Sequence, residues 1–234
     1  MKTKMRITAV SALITACLCV AALAQTETLQ THLAALKQSL TQNRQQLKQY
    51  QWTQTETVLY KGEEKSRKEF MAHYGSDGKV QKTEIAASPE KHPRGLRGHI
   101  EEKKKEELTA DMKQAVDTVK LYVPPDPAKI EAARNAGKAS IDLVEPQRIR
   151  LNFRDYEKPG DLLRIDIDPK THKLVGANVS TYLNDPSDPV ELVIQFGTLP
   201  DGTTYPSTTK LDVKAKNITV EQTNSNYTKL QSEK

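Results

Sequence analysis

Five histidines, an acidic pair and a row of arginines are the residues in this chain whose types could do chemistry. The histidines are His32, His73, His92, His99 and His172, and none pairs at the spacing that puts two imidazoles on one helical face. His92 and His99 fall in a basic loop, His172 in a hairpin turn and His73 on the wet parity of its strand. They read as surface side chains, and no metal ligand set is assigned, because metal sites leave clearer His, Cys or acid spacing. Asp166 and Asp168 share one strand face beside Pro169. Glycosidase chemistry needs two carboxylates facing a cleft with separated pKa values, so this pair reads as solvated turn residues. Arg148, Arg150 and Arg154 project from one strand face with Arg164 nearby, and Asp155, Glu157 and Asp166 are close in sequence. A charge run of this kind is usually a solvated face. Phe153 points the other way, so base stacking is missing and nucleic acid is not expected as a partner. There is no G-x-S-x-G elbow, phosphate loop or Rossmann glycine pattern, so no catalytic residue, cofactor or metal is assigned and the chain is read as a non-enzyme.

Both cysteines, Cys17 and Cys19, sit in the first residues. Lys2, Lys4 and Arg6 precede an uncharged apolar stretch, Ile7 to Ala24, that ends in Ala22-Leu23-Ala24. A basic start, an apolar run and a small-x-small end are the parts of a secretory signal peptide, expected over 1–24. Ile14-Thr15-Ala16-Cys17 also resembles a lipobox, which would make a lipidated Cys17 the mature N-terminus. The apolar run beyond it favours cleavage after Ala24. The mature chain would then have no cysteine, hence no disulfide framework or thiolate metal site. Of 35 basic and 30 acidic residues, three basic ones leave with the leader, so the net charge falls from +5 to +2. The expected location is the periplasm or outside the cell.

The elements that must position any site follow from periodicity. Leu29, Leu33, Leu36, Leu40 and Leu47 make one apolar stripe on a helix. Three strands follow, with a turn at Gly75 to Lys79. Ser88 to Gly98 reads as a loop. Glu101 to Tyr122 reads as a helix with Leu108, Met112, Ala115, Val116 and Val119 on one stripe. Val123-Pro124-Pro125 stops it, Asp126 and Pro127 start a shorter helix, and Gly137 ends that one, with Ile130, Ala133 and Ala136 inward. Five or six strands follow to the end, among them Arg148 to Tyr156 and the hairpin Leu162 to Leu183. In "KLDVKAK", Leu211, Val213 and Ala215 oppose four polar residues. One face is dry and one wet throughout, which is the pattern of an antiparallel sheet with one covered face.

This order of elements resembles the LolA-like fold of periplasmic lipoprotein carriers and their RseB-type relatives. The resemblance runs from Thr26 to Leu230 and is one of topology and secretion signal, not of a motif. It implies a single α+β domain over 25–234: a curved antiparallel sheet, an open half-barrel, covered on its concave face by an N-terminal helix and a central two-helix insertion. It also implies a carrier for a hydrophobic ligand. The carriers' cavity is markedly aromatic, whereas this chain has three Phe and one Trp, so the fold and a generic apolar cavity are what carry over. The ligand-lining residues would be Ile149, Leu151, Phe153, Ile165 and Val179 on the sheet and Leu108, Met112 and Val116 on the cover. The expected partner is an acyl chain or a lipoprotein, with peripheral membrane contact left open and the chain a monomer. The alternative is a structural or interaction module of the cell envelope with a filled core. If a ligand enters, the two central helices should move as one flap hinged at Ser88 to Gly98.

Overall fold

The computed structural model describes residues 30–87, 96–144 and 147–230. The expected signal peptide, Cys17, Leu29 and most of the expected hinge lie outside the described residues. Helix α1 (30–47) is followed by β1 (Tyr50–Tyr60), β2 (Glu63–Tyr74) and β3 (Val80–Ala87). Then come α2 (Leu96–Val119) and α3 (Pro127–Asn135). Seven strands complete the chain: β4 (Ala139–Val144), β5 (Arg148–Arg154), β6 (Leu162–Ile167), β7 (Leu174–Tyr182), β8 (Pro189–Thr198), β9 (Thr204–Val213) and β10 (Ile218–Lys229). All pair antiparallel in one ten-stranded sheet of order β3-β2-β1-β10-β9-β8-β7-β6-β5-β4. The sheet is curved and not closed, and the fold is α+β as the sequence implies.

That order explains the helical insertion. The chain leaves the sheet at one edge, β3, and re-enters at the other, β4. Ten strands spaced about 4.8 Å apart span roughly 43 Å along the sheet. The 24 residues of α2 make a rod of about 36 Å, so helix plus short joint can bridge the mouth of a curved sheet. Side-chain contacts fix how the helices lie. Asp111, Gln114 and Tyr122 of the α2 arm meet, in turn, Lys216 at the β9–β10 turn (3.5 Å), Asn184 at the β7–β8 turn (3.1 Å) and Asp161 at the β5–β6 turn (2.5 Å). These turns share one rim of the sheet. α1 lies along the opposite rim. Asn43 exchanges two hydrogen bonds with the Thr204 backbone at the β8–β9 turn, and His32 meets His172 at the β6–β7 turn.

Several local expectations change. α2 begins at Leu96, inside the stretch read as loop. The strand read through "KLDVKAK" ends at Val213, and Lys214–Lys216 form a 3-10 turn that leaves Ala215 exposed. Asn217 reverses the chain there with φ 55°, and a tight reversal of this kind favours Asn. β10 therefore runs on to Lys229, making seven strands after the helices instead of five or six. In α3, Asp126 accepts from the Ala128 amide at 2.8 Å as the expected cap, and Ala133 is buried, but Ala136 is exposed because it already belongs to the exit turn. Asp166 is not a solvated turn residue. It is buried under a two-pronged contact from Arg150, Nε at 2.7 Å and Nη2 at 2.8 Å, with Arg148 at 3.7 Å. The arginine row thus carries its own counter-ion, and the Asp166 carboxylate holds the Arg150 guanidinium firmly charged.

The covered face is dry over only half its width. Rows such as Ala139–Phe153–Leu163–Val179–Leu192–Leu211 run across β4 to β9. Farther along, the same face carries Thr209, Gln222 and Glu56 in register, and Gln54 and Asn224 are buried there. The sequence pattern, read strand by strand, predicted a dry face throughout.

The cover is fastened by a buried carboxylate. Asp161, 2% exposed, accepts the Tyr122 hydroxyl at 2.5 Å and the amides of Tyr156, Glu157 and Lys158 at 2.6, 2.9 and 2.9 Å. Tyr122 also meets Thr181 at 2.8 Å, and its phenol is pushed well above its usual pKa by burial and by that carboxylate. Removing the carboxylate leaves three amides unpaired, at about 1–3 kcal/mol per group. We expect Asp161→Ala to lower the urea unfolding free energy by about 3 kcal/mol or more and Tyr122→Phe by about 1 kcal/mol. Equal losses would show that the amides have other partners.

Candidate functional site

All eight residues expected to line a ligand site fall in one hydrophobic cluster. Alternation puts Ile149, Leu151 and Phe153 on the covered side of β5, and register sets them opposite Ile167, Ile165 and Leu163, with Val179 beyond Leu163. Leu108, Met112 and Val116 stand four residues apart on α2, so they stack along one helical face. The two groups differ in burial. Leu151, Phe153 and Val179 are 0% exposed, while the three α2 residues are half-buried against the cluster. The sheet side is packed as core, and the α2 side as a lighter layer over it.

The depth of the cover grows toward its joint. Ala115, Val119 and Tyr122 are buried, the last completely. Tyr156 joins Tyr122 ring to ring at 5.7 Å and its hydroxyl accepts from the Asp126 amide at 2.7 Å. The joint between α2 and α3 is therefore the anchored end of the insertion. A flap hinged at Ser88 to Gly98 would have to pull this joint out of the core. Movement about the joint disturbs only the lighter layer.

A second cluster escaped the sequence reading. Trp52 stacks on Tyr227 (5.4 Å, 12°) and meets Tyr74 (5.6 Å), while Tyr205 and Tyr50 approach Tyr227 at 4.4 and 6.2 Å. Trp52 Nε1 donates to Asn224 Oδ1 at 3.1 Å, and Asn224 Nδ2 donates to the Pro206 carbonyl. Burial pushes the Tyr227 and Tyr74 phenols up. The Tyr50 phenol is pushed up to about 12 by its hydrogen bond to Asp201, whose carboxyl is held low in return. At neutral pH these phenols stay protonated and act as packing groups and donors. The five rings come from β1, β2, β9 and β10, so only the register of the folded sheet brings them together. Their one sequence-level signal was Tyr50 and Trp52 at strand spacing.

Among the described residues, no group of three or more His, Cys, Asp or Glu side chains is placed to hold a metal ion, and no helix is long and apolar enough to cross a membrane. The surface of the described residues has depressions. One, of about 460 Å³, lies on the outer flank of α2 around Lys113, Asp117 and Leu121. Another, of about 270 Å³, lies around Lys61, Lys214 and Asn217. Neither touches any of the eight expected residues.

No protein-family model matches the sequence, and no curated protein matches it. A solved structure of a DUF1329 family protein from Desulfovibrio piger is similar at a TM-score of 0.39 and 10% identity, over 86% of this chain and 94% of that one.

The difference in burial can be measured. Truncating a fully buried aromatic costs about 3–5 kcal/mol, while a half-buried methionine should cost about 1–2 kcal/mol. We expect Phe153→Ala to cost at least twice what Met112→Ala does in urea unfolding. Equal costs would place α2 in the core and not above it.

Proposed function

We propose that this protein is a non-enzymatic binding or carrier protein of the cell envelope, periplasmic or secreted, with a LolA-like architecture. Its ligand is an acyl chain or a lipidated partner, taken up between the sheet and α2. The observation that carries this reading is the lighter layer: Leu108, Met112 and Val116, one per turn, half-buried against the hydrophobic cluster. The leader-like first residues supply the compartment, and the chain acts as a monomer that touches membranes at most peripherally.

Magnitudes support the exchange. Lifting three half-buried side chains costs roughly 1 kcal/mol each, half the value of full burial. A saturated chain of twelve methylenes gains about 0.8 kcal/mol per group, roughly 10 kcal/mol in all. An acyl chain of that length can displace the α2 layer, while one of four methylenes, at about 3 kcal/mol, only matches the cost of lifting it and leaves nothing for the entropy of association. Binding should therefore switch on with chain length.

A second reading has its own observation. Leu151, Phe153, Leu163, Ile167 and Val179 are already fully buried, as in a structural or interaction module with a filled core. Native mass spectrometry of protein from the periplasm, followed by titration of the delipidated chain with a fluorescent long-chain fatty acid, separates the two. We expect copurifying lipid, saturable binding, weaker binding to a double Leu108→Gln, Met112→Gln variant by at least about fivefold, and none to a four-carbon analogue. No lipid and no binding, with the fold intact by circular dichroism, would leave the filled-core module.

A further inference from the structure

The two ends of α1 are held differently. At its C-terminal end Asn43 pairs with the Thr204 backbone in both directions, and Gln46 reaches Thr203. At the other end the meeting point is a pair of imidazoles. The His32 and His172 ring centres lie 5.5 Å apart with their planes 40° to one another. Among the described residues, His32 Nδ1 is buried with no hydrogen-bond partner. A buried polar atom without a partner is costly and calls for an explanation.

The neighbouring groups are already engaged. The Asp168 carboxylate accepts from the Lys170 and Thr171 amides at 2.8 and 2.7 Å, which shapes the turn. The His172 amide donates to the Asp168 carbonyl at 2.9 Å, and His172 sits at φ 54°. The Lys173 ammonium is drawn off to the Gly202 carbonyl at 2.5 Å. His172 is thus presented to α1 by a turn built around it, with the ammonium of the adjacent Lys173 tied elsewhere.

We propose that His32 and His172 form a two-imidazole clamp for a borderline divalent ion such as Zn²⁺, Ni²⁺ or Cu²⁺, pinning the start of α1 to the β6–β7 turn. Imidazole nitrogens bind Zn²⁺ at about 2.0–2.1 Å in tetrahedral geometry, which sets two ligated ring centres roughly 5–5.5 Å apart. The observed separation needs little adjustment. A metal takes the neutral imidazole through a ring-nitrogen lone pair. Water fills the remaining positions, as at other open sites. The ion would give α1 a second fixed point, the counterpart of the Asn43–Thr204 pairing.

The test uses the leaderless chain purified without a histidine tag. Unfolding is followed with and without ZnCl2 or NiCl2, and the Cu²⁺ complex is examined by electron paramagnetic resonance. We expect metal to raise the unfolding midpoint, EDTA to reverse this, and His32→Gln or His172→Gln to weaken metal affinity by at least about tenfold. Two coordinated imidazole nitrogens should be seen in the wild type and one in each variant. Metal-free midpoints of the variants near wild type keep the comparison clean. No metal response in the wild type, or the same response in both variants, overturns the clamp. The outcome is independent of acyl binding, so it can fail without touching the carrier reading.

Discussion

The structure depends on covering one apolar half-face of a sheet that cannot close. Rows across β4 to β9 put Phe153, Leu163, Val179, Leu192 and Leu211 side by side, an area too dry to leave in water. The strand order leaves β3 and β4 at opposite edges, so the segment joining them must cross the mouth. That segment becomes the cover. Topology and burial thus ask for the same thing, and the long helix with an apolar stripe satisfies both. α1 closes the opposite rim with Leu36 and Leu47 buried and Leu33 and Leu40 partly so.

The structure also buries two carboxylates, one on the outer face of the sheet and one at its rim, and they are held by different means. Asp166, on the outer face, is compensated by charge, from Arg150 and Arg148. Asp161, at the rim, is compensated mainly by three backbone amides and one phenol. A carboxylate satisfied by oriented amides needs no counter-ion. The rim can therefore bury a charge against Tyr122 and Tyr156 without bringing an arginine into an apolar joint. This allows the α2–α3 joint to sit deep while the outer turns of α2 stay shallow.

Much of the fold was legible because its signals are local. Strand alternation in Arg148–Arg154 and in Leu162–Tyr182, the Asp126-Pro127 helix start and the α2 stripe all lie within a few residues. The failures are non-local or sit at short interruptions. Asn217 and the 3-10 turn before it broke one long alternating run into two strands, since "KAKN" keeps strand parity on paper while folding as a reversal. Asp166 looked solvated because alternation places it outward. Only the pairing of β5 with β6 lays Arg150 across it. The aromatic cluster needed the register of four strands, and Asp161 needed a tyrosine 39 residues away. The eight apolar residues were found because burial follows parity. Whether they face a ligand or one another depends on how firmly α2 is held, which parity does not encode.

That firmness can be reasoned from where the polar contacts stand. Of the sheet-side contacts of α2, Asp111–Lys216 is half-buried and Gln114–Asn184 exposed, while Tyr122–Asp161, past the helix end, lies in the core. Exposed ion pairs and amide contacts hold little, about 0–1 kcal/mol. The buried knot holds more because breaking it strands its donors. A helix fastened this way is fixed at one end and weakly held along the rest, so its lowest-energy departure is a tilt about Tyr122 that lifts Met112 and Leu108 first. Such a tilt disturbs the half-buried side chains of α2 before the buried joint and α3. A gradient of burial along a single helix is what separates a cover from a core element, and here the gradient points away from the joint.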